Sequence, residues 1–118
     1  MKEYLTRSNI SYFSIGSGTP IIFLHGLSLD KQSTCLFFEP LSNVGQYQRI
    51  YLDLPGMGNS DPISPSTSDN VLETLIEAIE EIIGARRFIL YGHSYGGYLA
   101  QAIAFHLKDQ TLEVFLTC

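Results

Sequence analysis

The 118-residue sequence is poor in the features that mark several large protein classes. It has two cysteines, Cys35 and Cys118, which stand far apart and resemble neither a metal site nor a disulfide framework. They read as reduced thiols, so a cytoplasmic location is expected. Basic residues number seven against twelve acidic ones, and only Arg86 and Arg87 are neighbours. A formal charge of −5 without a basic patch would repel a phosphate backbone, so no nucleic-acid partner is expected. No apolar run approaches the ~18 residues of a membrane span, and no membrane partner is expected either. The stretch from Met1 to Arg7 lacks the apolar centre of a signal peptide. Neither an internal repeat nor a low-complexity tract is present. With few prolines and 45% hydrophobic residues, the composition is that of a packed globular chain, and its length allows one domain.

What the sequence does contain is a regular succession of apolar segments. Glu3 to Arg7 and Ile10 to Ile15 read as short strands, with Ser8-Asn9 suited to the hairpin turn between them. Gly16-Ser17-Gly18-Thr19-Pro20 reads as a plain turn, because a strand and not a helix follows it. Ile21 to Leu24 is apolar without alternation, as expected of a strand covered on both faces. A helix is expected over Ser33 to Val44, interrupted or kinked at Pro40, and a strand over Arg49 to Leu54. Leu72, Leu75, Ile76, Ile79, Ile82 and Ile83 recur at the spacing of one buried face and predict a helix over Val71 to Ile83. Asn70 and Glu73 suit its cap, Gly84 its end, and its glutamates a solvated face. Phe88 to Tyr91 predicts a strand, Tyr95 to Leu107 a helix and Leu112 to Cys118 a final apolar strand. Strands alternating with helices imply an α/β fold: a mostly parallel sheet with helices on both faces.

The turn Gly92-His93-Ser94-Tyr95-Gly96 has the form Gly-x-Ser-x-Gly between a buried strand and a helix. In that setting the serine takes a strained backbone conformation that exposes its oxygen at the carboxyl edge of the sheet. A β-carbon at either flanking glycine would collide with neighbouring backbone. Gly97, Ala100 and Ala104 let the helix lie close to the sheet, and its start adds unpaired N–H groups and partial positive charge.

Three landmarks occur in order: Leu24-His25-Gly26, the run from Asp53-Leu54-Pro55-Gly56 to Ser60, and the turn at Ser94. Together they resemble the N-terminal half of the α/β-hydrolase superfamily, of the type that includes esterases and prolyl iminopeptidases. The resemblance implies that Ser94 attacks a substrate carbonyl, with the backbone N–H groups of Leu27 and Tyr95 as oxyanion hole. One such donor is worth ~3 kcal/mol in the transition state. It implies shaping roles for His25, Gly26, Gly92, His93 and Gly96, and for the turn from Asp53 to Ser60. Serine in place of aspartate argues against the epoxide hydrolase and haloalkane dehalogenase branches. The implied reaction is acyl transfer from a small ester or amide through an acyl-serine, with no metal or organic cofactor. Tyr95, Leu27 and Leu29 are candidates for the acyl side of the pocket.

A serine hydroxyl needs a histidine base and an orienting acid, which in this superfamily follow the serine. The one later histidine is His106. Twelve helical residues would hold it ~18 Å from the serine, far outside the ~3 Å a base requires. The sequence also stops inside an apolar strand. The expectation is therefore a partial domain over residues 1–118, cut after the sixth strand, without the lid, acid and histidine. Such a chain would be inactive by itself, and its raw sheet edge would invite self-association. Two alternatives stay open: a non-catalytic hydrolase relative that binds a ligand, and a lyase or cofactor-free peroxidase on the same scaffold.

Overall fold

The apolar runs become the centre of one sheet. The computed structural model describes residues 2–40 and 46–118. In chain order the elements are β1 (Glu3–Leu5), β2 (Ser11–Ile15), β3 (Thr19–Leu24), α1 (Lys31–Phe38) and β4 (Tyr47–Leu52). They continue with α2 (Ser68–Ile83), β5 (Phe88–His93), α3 (Tyr95–His106) and β6 (Thr111–Thr117). The six strands lie in the order β1-β2-β4-β3-β5-β6. The β4-β3-β5-β6 part is parallel, and the β1-β2 hairpin adds antiparallel to β4. This is the mostly parallel α/β sheet implied by the alternation of strands and helices.

Alternate residues divide between two faces. Ile22, Leu24, Ile50, Leu52, Phe88 and Leu90 point to α2 and α3, where they pack with Leu75, Ile79, Leu99 and Ile103. Each large aliphatic side chain fully buried in this layer contributes roughly 1.5–3 kcal/mol. On the opposite face Phe23 and Tyr51 stack at 4.4 Å and meet Cys35 of α1. Helices thus lie on both faces, unequally. Among the described residues one short helix stands on the second face, and an open groove of about 900 Å³ beside it is lined by Ile21, Phe23, Phe37, Phe38, Tyr91 and Phe115 among others. At the sheet edge β6 leaves Leu112, Phe115 and Leu116 exposed.

Several boundaries move, each for a local reason. The first strand ends at Leu5, because Thr6 turns the chain by bonding to Ile10 and Asn9, with Asn9 at φ 63°. Pro20 belongs to β3 and pairs in register with Gln48. The first helix starts at Lys31, where Asp30 caps it by accepting from the Ser33 N–H, and ends at Phe38 with Glu39 as cap, ahead of Pro40. The expected continuation over 41–44 lies outside the described residues. The second helix starts at Ser68, three residues before Val71. Its cap is Thr67 and not Asn70: the Thr67 hydroxyl accepts from the Asn70 N–H, and the Asn70 amide donates to Pro65 O. Gly84, at φ 62°, caps its end as expected. On the glutamate face Glu81 accepts from the Arg7 N–H at 3.0 Å and ties the hairpin to α2.

Candidate active site

The sharp turn between β5 and α3 is built by backbone approach. Ser94 holds φ 56° and ψ −115°, a left-handed conformation unusual for a residue with a side chain. A β-carbon on Gly92 would fall on Gly96 O and one on Gly96 would fall on Leu24 O, so neither position admits another residue without moving main chain. A β-carbon on Gly26 would stand 3.3 Å from Ser94 Cβ, which shows how closely the loop after β3 passes the serine. Ser94 is exposed, its N–H donates to Thr117 O at 2.9 Å, and its hydroxyl makes no hydrogen bond among the described residues. The turn therefore presents an oxygen at the carboxyl edge of the sheet.

Two backbone N–H groups near the turn are without partners among the described residues. Tyr95 opens α3, so its N–H has no partner within the helix. Leu27 lies in the loop after β3, three residues past the end of the strand, and its N–H has no hydrogen-bond partner among the described residues. Ser28 beside it takes φ 66°, and the Leu29 N–H closes the turn on Gly26 O at 3.2 Å. Of Tyr95, Leu27 and Leu29, Leu29 alone lines the large groove, whose lining includes His93 but not Ser94. The groove is thus an uncovered sheet face beside the turn and not the cavity of the serine.

None of the three histidines is set as a base for Ser94. His25 is buried: its Nδ1 donates to Gly26 O at 2.7 Å, while Nε2 accepts from the Leu54 N–H at 3.0 Å. Burial pushes its pKa below the ordinary value, which fits a neutral ring with both nitrogens engaged. His93 turns to the α1 face, where its Nδ1 meets the Thr117 hydroxyl at 2.9 Å and Tyr91 OH meets the same hydroxyl at 2.6 Å. His106 closes α3, ~18 Å of helix rise from its start. No group of three or more potential metal ligands occurs among the described residues, and no helix among them is long and apolar enough to cross a membrane.

The turn that begins at Asp53 also holds a buried charged cluster, in which Asp53 is joined by Lys31 and Glu3. Asp53 is fully buried and accepts from the Lys31 N–H at 2.8 Å, Lys31 Nζ at 2.7 Å and the Asn59 N–H at 2.9 Å. Glu3 joins from the hairpin by pairing with Lys31 and accepting from Asn59 Nδ2 at 2.8 Å and Ser11 Oγ at 3.0 Å. The bond from Lys31, then those from Asn59 and Ser11, hold the Glu3 carboxyl down at about 2. Burial disfavours the Lys31 ammonium, but its bonds to Asp53 and Glu3 prevail and raise its pKa. The signal for this cluster was a lysine directly after the helix cap Asp30, where the helix dipole disfavours a cation.

Comparison with known proteins agrees with this geometry. A model of the alpha/beta hydrolase family matches residues 21–118. The chain is 33% identical over 104 residues to a pimeloyl-[acyl-carrier protein] methyl ester esterase of Shewanella woodyi, covering 87% of this chain and 37% of that protein. It is 37% identical over 98 residues to a proline iminopeptidase of Saccharolobus solfataricus, covering 80% of this chain and 31% of that protein. In structure it is similar to an alpha/beta superfamily hydrolase from Oenococcus oeni PSU-1, with a TM-score of 0.98 and 99% identity. That match covers all of this chain and 44% of the other. The chain spans less than half the length of each of these relatives. With the strand-turn-helix at Ser94, the His25-Gly26 loop against it and a family match over most of its length, the chain belongs to the alpha/beta hydrolase family.

Proposed function

We propose that Ser94 is the nucleophile of a serine hydrolase acting on a small ester or amide. The observation that carries this reading is the backbone of Ser94, at φ 56° between two glycines that no other residue can replace without moving main chain. Strain of that kind persists where function requires it. In the proposed reaction Ser94 Oγ gives its proton to a base and bonds to the acyl carbon. The oxyanion that forms accepts from the N–H groups of Leu27 and Tyr95. Collapse expels the leaving group, which takes up the proton, and water then releases the acid from the acyl-serine. His25 and His93, each held by the bonds described above, serve as shaping groups. The base and its acid partner would come from residues other than these three histidines.

A second reading has its own observation in its favour: the Ser94 hydroxyl has no hydrogen-bond partner among the described residues. On that reading the fold binds an acyl compound without turning it over. Labelling with a fluorophosphonate probe separates the two. Labelling of the native polypeptide at Ser94, lost in Ser94→Ala, is the expected result. A native polypeptide that stays unlabelled but still binds an ester would favour the binding role.

A further inference from the structure

We propose that Lys31, through the buried carboxylate of Asp53, positions the Leu27 N–H for the oxyanion, a role that rests on the reading of Ser94 as nucleophile. Between Gly26 and Lys31 the loop is held by its own bonds, the Leu29 N–H on Gly26 O and the reciprocal cap between Asp30 and Ser33. Leu27 and Leu29 are 60% and 42% exposed, and Ser28 sits in the left-handed region. Those bonds shape the loop, and its placement on the sheet is set at its two feet. At the first, His25 bonds Gly26 O and takes the Leu54 N–H. At the second, the Asp53 carboxylate receives both the main-chain N–H and the ammonium of Lys31. Both feet thus stand on adjacent residues, Asp53 and Leu54, at the end of β4. The loop becomes a short bridge with fixed supports.

The second foot is costly in isolation. A cation in the first turn of a helix opposes the helix dipole, and a buried lysine loses its hydration. Both are offset by two carboxylates and by the ring of Phe13, 4.5 Å from Lys31 Nζ. The turn after β4 wraps Asp53 so tightly that a β-carbon on Gly58 would fall on its carboxylate. Glu3 adds an outer arm that brings the N-terminal hairpin into the same support. An arrangement this constrained fixes where residue 31 stands, and with it the far end of the five-residue path from Leu27. Displacing an oxyanion donor by about 1 Å costs up to 10²-fold in rate.

The test uses the full native polypeptide, p-nitrophenyl acetate as substrate and phenylboronic acid as a ligand that becomes tetrahedral on serine. Lys31→Met and Asp53→Asn are expected to lower kcat and weaken boronate binding in parallel, by roughly 10- to 100-fold, with KM within about twofold. Glu3→Gln removes only the exposed arm, and is expected to lose roughly two- to fivefold in both. It supplies the answer if the buried variants fail to fold. Wild-type kcat and boronate affinity in Lys31→Met or, failing its folding, in Glu3→Gln would make the cluster a stability element and overturn the proposal. Turnover and boronate binding that survive Ser94→Ala would instead refute the nucleophile, whatever the cluster does.

Discussion

Replacing Ser94 with glycine is expected to stabilise the chain while removing the hydroxyl, and the size of the gain follows from the turn. Ser94 stands at φ 56° and ψ −115°, where a side chain costs about 1–3 kcal/mol. Glycine relieves that cost but adds freedom to the unfolded chain, worth about 0.4–1 kcal/mol in the other direction. The net is a gain of about 0.5–2 kcal/mol. For a folding unit of 118 residues that is a rise in Tm of about 2–8 °C.

Ser94→Ala is the control, since it keeps the β-carbon and the strain. The serine is exposed and its hydroxyl makes no hydrogen bond among the described residues, so the alanine variant loses neither packing nor a bond seen there. It should stay within about 0.5 kcal/mol of the parent. The comparison is read by calorimetry and urea unfolding on the three proteins under one set of conditions. A glycine variant no more stable than the alanine variant would show that the turn holds no relievable strain. The backbone argument for Ser94 would then be lost, although the family would stand.

Other expectations are simpler. Leu75→Ala, at a fully buried position of α2, should cost about 2–5 kcal/mol in urea unfolding, and a cost under about 1 kcal/mol would contradict the packing of α2 on the sheet. Glu3 is held at about 2 against an ordinary 4.5, so its contribution to stability is complete above pH 4.5 and lost as pH falls toward 2. Stability curves of the parent and Glu3→Gln should therefore separate as pH rises between those values and run parallel above 4.5; a constant offset across the window would contradict the pairing. Phe115→Lys, on the exposed edge strand β6, should reduce concentration-dependent association of the 118-residue chain in sedimentation, and unchanged association would clear that edge of the role.

The parts of the fold visible in the sequence are those whose cause is local. The Leu and Ile stripe of α2 records its buried face because one helix repeat carries it, and Leu75 and Ile79 are indeed fully buried. The turn at Ser94 is legible because glycine is the one residue that lets Gly96 approach Leu24 O, and that demand is written into five consecutive positions. Helix starts are less legible, since Thr67 and Asn70 are both good caps and only the course of the preceding loop decides between them. The charged cluster was illegible for a stronger reason. Lys31 and Asp53 are 22 residues apart, in different segments; Lys31 resembles an ordinary surface charge within its own, and Asp53 stands out there only as the start of a shaped turn. Their pairing becomes necessary only once β3 and β4 lie side by side and bring the two segments together at one end of the sheet. A cation directly after the cap of α1 was the local signal, a breach of helix electrostatics that tertiary contacts repair. Breaches of that kind point to the constrained parts of a site, and this one lies at the foot of the loop that carries Leu27.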